Sequence, residues 1–140
     1  DDSAVPAFVA SDLLSQAEHG TDSQVILVST SKRLIDEVEK EIQSQIEVLP
    51  RKAIAIKAIE NSKLIFVESD QIALDLINEY GPEHFIICSE YDDFYCNGIV
   101  NAGSVFLGNY TPESAGDYAS GTNHTLPTKK NARPISSLIL

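Results

Sequence analysis

Four short runs of β-branched and apolar residues, each preceded by a helix-periodic segment, constrain this chain most. The runs are Gln24-Val25-Ile26-Leu27-Val28-Ser29, Leu64-Ile65-Phe66-Val67, His84-Phe85-Ile86-Ile87-Cys88 and Ser104-Val105-Phe106-Leu107. Each has the composition of a buried strand. Before the first, Val5, Val9, Leu13 and Ala17 recur every four residues, with Phe8 and Leu14 widening the stripe. That spacing predicts a helix over 5–19, with Pro6 in its first turn and Gly20 as its stop. Thr30 or Ser31 is expected to cap a helix over 32–49, with Leu34, Ile35, Val38, Ile42, Ile46 and Leu49 inward and Pro50 breaking it. A shorter helix comes next over 51–61, with Ile54, Ala58 and Ile59 inward. Ser69 or Asp70 opens another, which runs to Tyr80 on Ile72, Leu74, Leu76 and Ile77, and Gly81-Pro82 ends it. A last short helix is expected over 91–99.

Strands alternating with helices specify an α/β fold: a mostly parallel sheet flanked by helices. The expected organisation is a single domain over 1–140, with the alternating core over 1–108 and a functional loop and C-terminal stretch over 109–140. A parallel sheet needs cover on both faces, and four strands are few. The chain has no Met, opens on Asp1-Asp2-Ser3 and stops on Ser137-Leu138-Ile139-Leu140. It is therefore expected to be a fragment of a longer protein, whose missing part fills any gap in that cover.

Charge narrows the partners. The net charge of -11 argues against nucleic acid and anionic membrane, because phosphate contacts need clustered Lys and Arg. No apolar run reaches the ~18 residues of a membrane span, and no basic, apolar leader opens the chain. Cys88 and Cys96 form neither a metal spacing nor a Cys-x-x-Cys, which points to reduced thiols and a cytoplasmic setting. Both Asn-x-Thr sequons, at Asn109 and Asn123, read as chance in that setting.

Three stretches carry residues able to do chemistry. In Leu13-Leu14-Ser15-Gln16-Ala17-Glu18-His19-Gly20, Gln16 and His19 stand three apart, so a helix directs both to one side. They are otherwise the boundary of an amphipathic face. Gly81-Pro82-Glu83-His84 sets a carboxylate beside an imidazole, a pair suited to water activation and proton movement near neutral pH. In a regular strand the two would face opposite ways, so only an irregular entry lets both reach one site. The alternative is a surface pair. The third stretch runs from Ser114 to His124. Asp117 there has small neighbours that let a ligand approach, or else it is a turn residue, and His124 suits a loop-shaping role. A short helical turn is expected near 112–118. Gly103-x-x-x-x-Gly108 lacks the Lys and Ser/Thr of a phosphate loop, and no dinucleotide fingerprint is present.

Together these stretches resemble a family. Residues 6–20, 81–84, 102–108 and 113–128 look, in order, like histidinol dehydrogenase, and the resemblance covers essentially all 140 residues. The stretches 32–63 and 91–101 are its least diagnostic parts. It implies a Rossmann-like fold and a homodimeric, NAD- and zinc-dependent enzyme that oxidises histidinol to histidine in two steps through a bound aldehyde. It implies that Gln16, His19 and Asp117 are zinc ligands that also hold the substrate, and that the fourth ligand is a histidine of a missing C-terminal segment, supplied across the dimer. Glu83 would activate the water and His84 would move protons and contact the substrate. The nicotinamide contacts would lie outside this chain, leaving the fragment inactive alone. The alternative is a non-catalytic acidic α/β module that keeps the motifs for protein interaction.

Overall fold

The computed structural model describes residues 1–111 and the backbone of Leu138–Ile139. The chain divides into two units, Asp1–Glu68 and Ser69–Leu140.

The first unit is built on a parallel pair of strands. Helix α1 (Pro6–Ala17) leads to β1 (Ile26–Ser29); then α2 (Lys32–Gln45), a 3-10 turn (Ile46–Val48) and α3 (Lys52–Glu60) cross over to β2 (Lys63–Phe66). Ile26 pairs with Lys63 and Ser29 with Phe66 at the two ends of the register. The core lies where α1 packs against both α2 and α3: Ala10, Leu14 and Ala17 are the buried residues of α1, facing the Leu34, Val38, Ile42 stripe of α2 and Ala55 and Ala58 of α3. That stripe repeats every four residues, as one helix face requires.

Ser31 caps α2: its Oγ accepts the Leu34 N–H at 3.1 Å and donates to the Asp2 carboxylate. The helix tightens into a 3-10 turn at Ile46 instead of continuing to Leu49, leaving Val48 82% exposed. On α3 the fully buried residues are Ala55 and Ala58, while Ile54 and Ile59 are half-buried. Small side chains let that helix approach its neighbours closely, a choice that apolar periodicity alone does not reveal.

The second unit holds α4 (Asp70–Tyr80), β3 (His84–Ile87), α5 (Asp92–Gly98), β4 (Ser104–Leu107) and β5 (Leu138–Ile139). Ser69 caps α4 through the Ile72 N–H, and Gly81, at φ +65°, ends it in the left-handed region that favours glycine. Ile72 is exposed and Ala73 takes the inward position beside Leu74 and Ile77. Gly98, at the end of α5, lets Leu74 lie where a Cβ would be: the nearest methyl would stand only 2.2 Å away.

The α/β class with short parallel sheets is as expected, but the four runs do not join one sheet. Among the described residues they form a β1-β2 pair and a β3-β4-β5 sheet. β2 ends on Phe66, a half-exposed residue under the Lys32 ammonium (4.6 Å to the ring), and the chain turns into α4. β3 instead pairs with β4, across α5. Leu138–Ile139, read in the sequence only as an apolar end, pairs in parallel with Ser104 and Val105. No helix among the described residues is long and apolar enough to cross a membrane.

Candidate active site

Gln16 and His19 lie in the first unit, where α1 ends. The helix stops at Ala17, two residues before the position its periodicity predicts, and Glu18 is its C-cap in right-handed geometry. His19 therefore sits just past the helix, its N–H bonded to the Gln16 carbonyl at 3.2 Å in a tightened turn. Gly20 is not the stop, since its φ is not positive. The chain leaves α1 early because the adjoining segment, 21–24, is tied to the end of α3. Asn61 donates to the Thr21 carbonyl at 3.4 Å, and Gln24 donates to the Asn61 carbonyl at 2.9 Å. Glu18 accepts the Arg51 N–H at 3.0 Å and so ties the same corner to the start of α3.

The Gln16 amide is the most informative atom group here. Its Nε2 is buried and has no hydrogen-bond partner among the described residues. A buried amide left unpaired costs about 1–3 kcal/mol. The two ends of an amide are interchangeable by a half-turn, so the position can present Oε1 as well. His19 is exposed on the next turn. An amide oxygen and an imidazole nitrogen are both acceptable to zinc. The pair fits one side of such a site. Among the described residues, no group of three or more His, Cys, Asp or Glu side chains is placed to hold a metal. Asp117 and His124, and the turn expected over 112–118, lie outside the described residues.

Glu83 and His84 lie in the second unit at the entry to β3, both half-buried. Two consecutive N–H groups, of Gly103 and Ser104, donate to two consecutive carbonyls, of Pro82 (2.9 Å) and Glu83 (2.8 Å). In a regular strand successive N–H groups point to opposite sides, so this junction is irregular. The irregularity is what a shared site for neighbouring residues requires. His84 continues into the strand opposite Ser104, and its ring lies 6.1 Å from that of the buried Phe106. Gly103 is indispensable to the approach: a Cβ there would lie 2.4 Å from the Glu83 carbonyl oxygen.

Two groups often recruited for chemistry are held inert. The Cys96 thiol is pushed up by burial and then by Asp92 and Asp93, which disfavours a thiolate nucleophile. The Tyr95 hydroxyl is pushed up strongly by burial and by its 2.7 Å bond to Asp70.

The histidinol dehydrogenase family model matches residues 1–140, the whole chain. This chain belongs to the histidinol dehydrogenase family. It is 56% identical over 140 residues to histidinol dehydrogenase of Bacteroides thetaiotaomicron, covering 100% of this chain and 33% of that protein. It is 55% identical to histidinol dehydrogenase of Colwellia psychrerythraea, again covering 100% of this chain and 32% of that protein. The crystal structure of histidinol dehydrogenase from Elizabethkingia anophelis superposes with a TM-score of 0.90 at 51% identity, over 94% of this chain and 30% of that one. The chain thus spans about a third of the length of these histidinol dehydrogenases.

Within this family segment the structure sets Gln16 and His19 at one helix end and Glu83 and His84 in one junction. Sequence reading passed over Asn78 and Asn101, whose amides tie the end of α4, just before that junction, to residues 98–101. The available signal was Asn78 itself, a short polar side chain in the last turn of an otherwise ordinary amphipathic helix.

Proposed function

We propose that the full-length protein oxidises histidinol to histidine in two steps, and that this segment supplies the acid-base residues and part of a zinc site. The observation that carries this reading is the match to the histidinol dehydrogenase family across all 140 residues. The buried unpartnered amide of Gln16 supports the metal assignment independently.

Gln16, His19 and Asp117 are the residues assigned to zinc and to the substrate's polar groups, with a further histidine from outside this chain. Bound zinc would act as a template that orients the substrate's imidazole and amine. NAD would accept the two hydrides, but these residues carry no Gly-x-Gly-x-x-Gly and do not fit a dinucleotide site. The nicotinamide contacts are assigned to the remainder of the longer protein, which would work as a homodimer.

His84 takes the hydroxyl proton of the alcohol as the first oxidation proceeds. Glu83 then removes a proton from the water that attacks the resulting aldehyde, preparing the second oxidation. An imidazole and a carboxylate divide these tasks because each exchanges protons near neutral pH when suitably placed. The irregular entry at 82–84 supports their sharing one substrate. His84 keeps its orientation from β3, and Gly103 lets the backbone carrying Glu83 pack directly on β4.

The test is turnover of histidinol with NAD by the full-length protein. Two NADH per histidinol are expected. Glu83→Gln should lower turnover by about 10²–10⁴-fold, the usual contribution of a general acid-base. An inactive full-length protein, or a fully active Glu83→Gln variant, would count against the assignment.

A further inference from the structure

We infer that Asn78 and Asn101 are positioning residues that hold the 81–84 junction where Glu83 and His84 can act; this rests on the acid-base roles proposed above. Asn78 lies in the last turn of α4. Its Nδ2 donates to the Gly98 carbonyl at 3.0 Å, and its Oδ1 accepts the Val100 N–H at 2.8 Å. Its own carbonyl accepts from Asn101 Nδ2 at 2.8 Å. Three bonds thus join the end of α4 to the end of α5 and the segment that follows it.

That segment in turn grips the junction. A Cβ on Gly81 would lie 2.8 Å from Asn101 Nδ2, so the amide rests directly on the glycine that turns the chain. Two residues after Asn101, Gly103 donates to Pro82, and Ser104 donates to Glu83. The chain leading to the carboxylate-bearing residue is therefore packed against Asn101 at Gly81 and bonded to the entry of β4 at Pro82 and Glu83.

Stopping α4 needs only the left-handed Gly81. It does not need an amide that satisfies both a carbonyl and an N–H of a loop 20 and 22 residues away. Asn is also a weak helix former, so its place in the last turn suits a side chain with such a task. One short, rigid amide reading both polarities of the same loop fixes that loop in place and in orientation. A reacting group misplaced by about 1 Å can lose ~10²-fold in rate.

The experiment uses the full-length enzyme with Asn101→Ala and Asn78→Ala, each made in the native and in the Glu83→Gln background. Two-step turnover of histidinol is measured across pH. Each asparagine variant should lower kcat by roughly 10- to 100-fold, change KM less than about threefold, and shift the pH profile of kcat. The loss should be smaller in the Glu83→Gln background, because part of it acts through that residue. An equal fold-loss in both backgrounds, or a native kcat and pH profile, overturns the inference. Should Asn78→Ala fail to fold, Asn101→Ala, at a half-buried position, decides alone. A fully active Glu83→Gln enzyme would instead remove the acid-base assignment on which the inference stands.

Discussion

Gly103 and Glu83 are in contact through backbone alone, with room for no Cβ between them: it would stand 2.4 Å from the Glu83 carbonyl oxygen and 3.2 Å from the carbonyl carbon. The obstacle is main chain rather than the end of a flexible side chain, so no rotamer change relieves it. Gly103→Ala must push β4 away from the 82–84 junction. The expected cost is about 1–3 kcal/mol of stability, as for other overpacked interiors. Turnover by the full-length enzyme should fall more than that loss of folded protein accounts for. Urea unfolding and kcat on the same sample check this; native values of both would show that the junction tolerates displacement.

Gln16→Leu separates stability from metal binding. Among the described residues the native amide leaves Nε2 buried and unpartnered, a cost that a bound ligand would offset. A leucine of similar volume removes that cost. The metal-free protein should therefore melt at a higher temperature than the native one in chelator. Added zinc should raise the melting temperature of the native full-length protein and leave Gln16→Leu unaffected, because only a ligand bound to the folded state stabilises it. A zinc response of equal size in both proteins would exclude Gln16 as a ligand.

Tyr95→Phe should flatten the alkaline stability profile. Burial, then the bond to Asp70, holds the folded phenol well above its ordinary value of 10.0. The unfolded chain loses this proton first, so stability is fully present below pH 10 and declines as pH rises through the range above it. One such group changes stability by at most about 1.4 kcal/mol per pH unit. Without the hydroxyl that slope should shrink, with some loss of stability at pH 7 from the deleted bond. Urea midpoints between pH 8 and about 11 give the comparison; unchanged slopes would place the titration elsewhere.

Ser31→Ala should destabilise the first unit by about 0.5–2 kcal/mol, the usual worth of a helix N-cap. The hydroxyl accepts the Leu34 N–H and also donates to Asp2. That second bond, followed by Arg33, lowers the Asp2 carboxyl below its ordinary 3.8. A lowered carboxyl adds stability above its unfolded value and loses it as pH falls. Asp2→Asn should therefore lessen the dependence of unfolding on pH below about 4. Denaturant titrations of the three proteins at pH 3 and pH 7 measure both effects.

The information legible in the sequence was local. The β-branched runs became strands because a pleated, buried surface favours them, and the Leu34, Val38, Ile42 stripe became the inner face of α2 because 3.6-residue periodicity leaves no other. The motifs around Gln16, His19, Glu83 and His84 were also local, which is what allowed these residues to be proposed for the site. Strand pairing was not. Nothing in the composition of Leu64-Ile65-Phe66-Val67 states that it pairs with β1 and leaves β3 to β4, or that Leu138–Ile139 joins β4. Those choices depend on contacts between residues tens of positions apart. The end of α1 was decided the same way: bonds from Asn61 and Gln24 draw the chain off the helix before Gly20. By itself the sequence determined which elements form and which side chains can bear chemistry, since both follow from local stereochemistry and functional groups. Only the tertiary structure decided that an amide of Asn78 and a missing Cβ at Gly103 shape the Glu83–His84 junction, because such close approaches exist only once distant backbone is packed together.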